Sequence, residues 1–313
     1  MIQNKITESE MIDAINRSGY LIEQRIERSL LSNSYVVQTS DAYLDTETGK
    51  SREIDLVAMK HYNLWASDEH HITHHLIIEC ENNFQPVVFI KNTQSSTFRY
   101  DEIKMTGVPL NVTTENHPSP ISIDEYLEFD NFHHYTYSGN YTQYCSFQLP
   151  NKQNATWIAS HLETQHDSFS NLIKCVEFKR HNYFTNNIWP LQGAEEKMDL
   201  HFFYPIVVLQ GELFQAIEND GDLKIEPIKW LSFRKQTIRN QEVSSYKIDV
   251  VTEKFYPTFL EILESEKNGL IGQIRDHWDK ILISMSHKTH KAQEMRTHRE
   301  AYGIPYGHQD NFK

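Results

Sequence analysis

Two short apolar runs carry the residues of this chain best suited to chemistry. Asp55 lies in Arg52-Glu53-Ile54-Asp55-Leu56-Val57-Ala58, and further on Leu76-Ile77-Ile78 leads into Glu79-Cys80-Glu81. Both runs have the apolar, β-branched character of buried strands. Side chains alternate along a strand, so Glu79 and Glu81 share one face and Cys80 takes the other. If the two strands pair, Asp55 joins Glu79 and Glu81 in one acidic cluster. Carboxylates crowded at the end of an apolar hairpin repel one another and lose hydration, so they require protons or a cation. An all-oxygen donor set suits a hard divalent ion.

The elements that must position these groups follow from the pattern on either side. Residues from Thr7 to about Ser32 show helical periodicity, with Ile12, Ile15, Ile22, Ile26 and Leu30 as candidate core positions, and Ser18-Gly19 divides the stretch into two helices. Glu23 then falls in the first turn of the second helix. Tyr35-Val36-Val37 opens a strand, Asp45-Thr46-Glu47-Thr48-Gly49-Lys50 makes a turn, and Ile54 to Met59 and Leu76 to Glu81 are the two motif strands. Val87 to Ile90 is a further short strand.

This ordered set resembles the PD-(D/E)XK, or restriction-endonuclease-like, nucleases over roughly residues 15 to 95. The helix around Gly19-Tyr20-Leu21-Ile22-Glu23 is similar to the family's first helix with its accessory acid. Ile54-Asp55 and Ile78-Glu79-Cys80-Glu81 stand where the family has its Asp strand and its Glu-x-Lys strand. The resemblance implies an α/β fold with a mixed central β-sheet flanked by helices, a restriction-endonuclease-like core with C-terminal additions. It implies catalytic residues Glu23, Asp55, Glu79 and Glu81, with Mg2+ (Mn2+ as the alternative) held by Asp55, Glu79 and Glu81. It further implies a metal-dependent endonuclease that hydrolyses DNA phosphodiester bonds in restriction or anti-phage defence, RNA being the alternative substrate.

The chain departs from the family at Glu81, where Lys is usual. Glu cannot supply positive charge, but it can ligate a second metal or take a proton from water. Lys60, Lys91 and Lys104 are near enough in sequence to serve as a displaced cation. The alternative reading is an inactive nuclease-fold protein that binds nucleic acid or another protein.

Composition sets the outer limits. The chain has 313 residues, 39% of them hydrophobic, which supports a substantial core. Residues 1–150 read as the nuclease core and 151–313 as a helix-strand-helix extension on the same sheet, which makes one continuous domain an alternative to two. Cys80, Cys145 and Cys175 are unclustered, which argues against a disulfide framework or a thiolate zinc site and points to a reducing, cytoplasmic setting. No run reaches the length of a membrane span, and the N-terminal residues lack a signal-type apolar stretch. The formal charge of −13 disfavours a protein that coats nucleic acid nonspecifically, while leaving room for a local basic groove. A homodimer or a partner protein is compatible with these limits.

In the second half, Thr156 to Phe178 reads as helix, with Ile158, Leu162, Phe169, Ile173 and Val176 on one face. Residues His201 to Leu209 and Leu213 to Ile217 read as strands around Gly211, Tyr246 to Thr252 as another, and Pro257 to about Ser284 as a long helix. Thr93 to about Tyr141 reads as loops with a short helix near Ile123 to Phe129. Asp249 echoes the Ile54-Asp55 pattern but lacks a following acidic pair, so it reads as a strand-end residue. His70, His71, His74 and His75 read as an exposed hairpin loop rather than a zinc site. Lys179-Arg180-His181 beside Tyr183, and the basic run His287-Lys288-Thr289-His290-Lys291, are candidate phosphate contacts.

Overall fold

The computed structural model describes residues 5–17, 20–65, 70–83, 85–92, 102–107, 111–114, 117–149, 156–160, 163–186, 199–239 and 242–281. Helix α1 (Glu8–Arg17) is opened by a reciprocal cap: the Glu10 backbone N–H donates to Thr7 Oγ1 at 3.3 Å, and the Glu10 carboxylate accepts from the Thr7 N–H at 2.8 Å. Helix α2 (Tyr20–Ser32) follows, and its Ile22, Ile26 and Leu30 form the buried stripe that the helical period predicts. The expectation of a core role for Ile12 and Ile15 is corrected, because both are exposed on α1. Their spacing marks a helix face, but periodicity cannot say whether a partner covers it.

Strands β1 (Val36–Asp45), β2 (Lys50–Asn63) and β3 (His71–Glu81) form an antiparallel meander. They are followed by β4 (Val87–Lys91), β5 (Lys104–Thr106), β6 (Asn111–Thr114), β7 (His117–Ser122) and the short α3 (Ile123–Tyr126). Next come β8 (Tyr141–Gln148), β9 (Ile158–Ser160) and α4 (Glu163–Asn186). The chain continues through β10 (Asp199–Leu209), β11 (Leu213–Asn219), β12 (Asp222–Pro227), β13 (Trp230–Arg239), β14 (Glu242–Thr252) and α5 (Tyr256–Asp276). The reading of Thr156 to Phe178 as continuous helix gives way to strand β9, where Ile158 is exposed, before α4 begins. The β8, β12 and β13 strands were not anticipated: β12 is a mostly exposed edge strand, and β13, between β14 and β8, carries Arg234-Lys235 in its middle. No helix among the described residues is long and apolar enough to cross a membrane.

One mixed sheet runs β1-β2-β3-β10-β14-β13-β8-β4-β11-β12, with β5 added on β10 and β9 on β8. Strand β10 lies parallel to both β3 and β14, and α4 makes the crossover that parallel pairing with β3 requires. Strands from before and after residue 150 therefore interleave. The sheet is covered on both faces. Leu56, Ala58, Leu76, Ile78, Phe202 and Tyr204 pack with the apolar stripes of α2 and α5. On the other face Val57, Ile77, Phe203 and Val207 pack with Phe169, Leu172, Ile173 and Val176 of α4. Burial on both sides explains why β3 and β10 are apolar almost throughout rather than alternating.

The expected exposed loop at His70 to His75 is also corrected. His71 through His75 belong to β3, and His74 and His75 are buried on opposite faces. His75 Nε2 lies 2.8 Å from His201 Nδ1, whereas His74 packs among Tyr62, Phe202 and Tyr204.

Candidate functional site

The acidic residues meet where β2 and β3 part. Their ladder ends at Leu56↔Ile78. One step beyond, the Cys80 backbone N–H donates to Asp55 Oδ2 at 2.7 Å, so a side chain takes over where the strand pairing stops. The same place breaks the alternation of β2: Leu56 and Ala58 face the α2 and α5 side, but Ile54 packs with the α4 cluster. Opposite this point the β1–β2 register passes from Thr39↔Leu56 to Asp41↔Ile54, and the intervening Ser40 has φ 50°. Asp55 thus sits at a local change of face rather than in a regular strand.

Asp55 and Glu79 are hydrogen-bonded to each other. Burial pushes Glu79 up to about 9, with the neighbouring Asp55 and Glu81 adding to the shift. Burial likewise raises Asp55, against the opposing effect of the Cys80 N–H and the Glu79 hydrogen bond. Glu81 is raised by burial while Ser168 Oγ, which donates to Glu81 Oε1, opposes the shift. Glu23 approaches from α2, and it is raised by partial burial and by the charges of Asp55 and Glu53. Asp55 is the common neighbour of the other three, but Glu23 reaches it from α2 while Glu79 and Glu81 turn to α4 on the opposite face, and the four do not form a closed ligand shell.

Helix α4 supplies the polar contacts that sequence reasoning missed. Asn171 hydrogen-bonds Glu79 through its side chain, and its carbonyl accepts from Tyr43 Oη at 3.2 Å. Lys174 Nζ lies 2.9 Å from Asp45 Oδ2 and 3.1 Å from Glu47 Oε2. Asp45 also accepts from the backbone N–H groups of Glu47 and Thr48 and from Arg52, which closes the β1–β2 turn. Two of the three lysines considered as substitutes for the family cation are engaged elsewhere: Lys60 pairs with Glu264 at 3.2 Å, and Lys104 lies over the Tyr246 ring. Lys179 is paired with Asp41 and Arg180 with Glu177, so the expected phosphate clamp is an internal ion-pair set. The basic run from His287 lies outside the described residues.

A second polar centre is buried beneath α5. His133, His134 and Glu266 bring ligand atoms within 4.8 Å of one another, the group of this kind among the described residues, and could hold a divalent metal ion. Its hydrogen bonds describe how it is filled as it stands. His134 Nδ1 lies 2.5 Å from Glu266 Oε2, and its Nε2 lies 3.0 Å from Asp249 Oδ2. Burial pulls His134 down, but Asp249 and Glu266 outweigh it and lift the imidazole to about 10. His134 is therefore an imidazolium, with both nitrogens donating, and an ion would have to displace one of its protons. Glu266 also accepts from the His134 backbone N–H at 2.9 Å and from Tyr204 Oη at 2.7 Å. Ser232 Oγ donates to Asp249 Oδ1 at 2.6 Å. Asp249 is thus a buried member of a charge network, not the strand-end residue expected from the sequence.

Comparison with protein-family models, curated proteins and solved structures returns no match for this chain.

Proposed function

We propose that the chain is a metal-dependent nuclease of the restriction-endonuclease-like kind, acting on DNA phosphodiester bonds. The observation that carries this reading is the hydrogen-bonded Asp55–Glu79 pair at the parting of β2 and β3, with Glu81 and Glu23 beside it. Two acids bonded to each other hold a proton where a cation would relieve the same repulsion. The donor set is all oxygen and suits Mg2+ or Mn2+. Asp55 and Glu79 would hold the ion, Glu81 would orient and deprotonate the attacking water, and Glu23 would bind from α2. When bound, the ion supplies Lewis-acid polarisation of the phosphate and a more acidic water. The order of acids, resembling that of the PD-(D/E)XK nucleases, adds to this reading.

The Glu81 position favours one alternative, a nuclease-fold protein that binds DNA without cutting it. Cleavage of plasmid and oligonucleotide DNA with Mg2+ and with Mn2+ separates the two. Wild type is expected to cut, Asp55→Ala and Glu79→Ala to abolish cutting with melting temperature retained, and Glu81→Gln to lower it steeply. An inert wild type whose Glu81→Lys variant cuts identifies the binding module. No cutting by any variant in either metal overturns the nuclease reading.

A further inference from the structure

The buried centre beneath α5 draws its donors from distant parts of the chain. His133 and His134 come from the turn segment before β8, and Glu266 from α5. A fourth group stands close by on β3. His74 lies against the Tyr204 ring at 5.1 Å, and Tyr204 Oη donates to Glu266 at 2.7 Å. His74 is fully buried, and neither of its ring nitrogens has a hydrogen-bond partner among the described residues. A polar group taken out of water in that way calls for a partner.

The spacing of the donors suits an ion. His133 Nε2 and Glu266 Oε1 are 3.4 Å apart. Two ligands each roughly 2.0–2.1 Å from a tetrahedral ion stand about 3.3–3.4 Å from each other. His134 offers Nδ1, while its Nε2 donates to Asp249, whose Oδ1 accepts from Ser232 Oγ. A carboxylate behind a ligating histidine fixes its tautomer and orientation. Imidazole nitrogens with one carboxylate suit Zn2+, whereas Mg2+ takes oxygen ligands.

We propose that His133 Nε2, His134 Nδ1 and Glu266 bind Zn2+ in a closed structural site, with His74 as the fourth donor. The ion takes the place of the Nδ1 proton of His134, which leaves to solvent. The 2.5 Å contact between that nitrogen and Glu266 then opens to ligand spacing. On His133 the ring proton passes to Nδ1, which gives up the 3.3 Å bond from the Tyr135 N–H. His74 stands outside the group whose donor atoms lie within 4.8 Å of one another, so it ligates after a shift of its ring. The ion ties β3, the turn segment and α5 together. Because the ligands are buried, it enters as the chain folds, and its binding adds to folding stability. The site shares no residue with the Asp55–Glu79 pair and stands or falls apart from the nuclease reading.

The test is refolding of the full chain from urea with EDTA, ZnCl2, CoCl2 or MgCl2. Metal content after gel filtration, melting temperature and the visible spectrum of the Co2+ form are then measured, and competition with a chelator gives the affinity. Wild type is expected to retain one Zn2+ per chain and to melt higher than the EDTA-refolded chain, with no such gain from Mg2+. Its Co2+ form should show the intense visible bands of a four-coordinate ion. Asp55→Ala should keep all of these properties. Ser232→Ala keeps every ligand but frees Asp249 behind His134, and should weaken Zn2+ by about 10- to 100-fold. His74→Phe keeps an aromatic ring in its place and should weaken Zn2+ at least as far, while Glu266→Gln should abolish retention. If Glu266→Gln does not fold, the other two variants decide. A wild type that folds without retaining Zn2+ overturns the proposal, as does retention that Asp55→Ala removes. Zn2+ held as tightly by Ser232→Ala and His74→Phe as by wild type overturns it too.

Discussion

Two carboxyl groups can hydrogen-bond to each other only when one of them carries a proton, and burial makes Glu79 the carrier. Its folded value of about 9 lies above its ordinary value of 4.5, so the native state binds more protons than the unfolded chain across that interval. Stability of the ion-free protein should therefore fall as pH rises through this window. Thermal melts across it should show a steeper loss in wild type than in Glu79→Gln, which cannot ionise. Mg2+ should raise the melting temperature more at the alkaline end, where the proton it replaces is already leaving. Equal slopes for the two proteins would remove Glu79 as the source. Strand parity made the grouping of Glu79 with Glu81 legible in the sequence. The Ser168 and Asn171 partners were not legible, because the rotation of α4 is set by which of its apolar residues find the core. Glu266 did leave a signal: it interrupts the buried series Phe259, Leu263, Leu270 and Ile274 on α5, a position where an unpaired charge would be costly.

Among elements, the segment 129–138 shows how a stretch with weak sequence signals is held. It runs through two short 3-10 turns, Phe129–Asn131 and His134–Thr136, that have little stability of their own. It is fastened to β14 through His134 and Asp249, and through the mutual bonds of Tyr135 and Lys247. It is fastened to α5 through Glu266. Removing one partner from such a buried set leaves an uncompensated charge, so Glu266→Gln or Asp249→Asn should cost about 3–5 kcal/mol. Urea unfolding measures this. The His134 value is raised from 6.5 to about 10, so its contribution is complete below the lower value and lost as pH rises through the upper one. The destabilisation caused by either variant should therefore shrink at high pH. A penalty that stays constant with pH would mean that packing, not the imidazolium, fastens the segment. The sequence read this region as loop because short turns joined by side-chain bonds have no period to detect.

At the scale of the molecule, the mixed sheet between helices was expected from the succession of apolar runs, but its strand order was not. Local pattern identifies β3, β4 and β10 as strands without revealing that β10 pairs with β3 while β4 lies beyond β14, β13 and β8. Such neighbours are chosen by which faces and edges remain to be covered once the chain has collapsed. Because strands from both halves interleave, the folded chain should unfold as a unit. Urea transitions followed by tryptophan fluorescence and by circular dichroism are expected to coincide, and a fragment ending at residue 150 should stay unfolded. Separate transitions, or a folded fragment, would establish two independent units.

The central place of β10 bears on how the protein is born. The meander of β1, β2 and β3 leaves the ribosome first, and the outer edge of β3 is then an apolar strand without a neighbour. Its permanent neighbour is synthesised more than a hundred residues later, at Asp199–Leu209, and α4 arrives between them. During that interval the nascent chain exposes a sticky edge bearing Glu79 and Glu81, and holdase chaperones are the natural guardians of such an edge. The acids come under the shelter of α4 only when translation is well into its second half. A growing chain therefore carries no assembled acidic cluster until α4 and β10 have both been made.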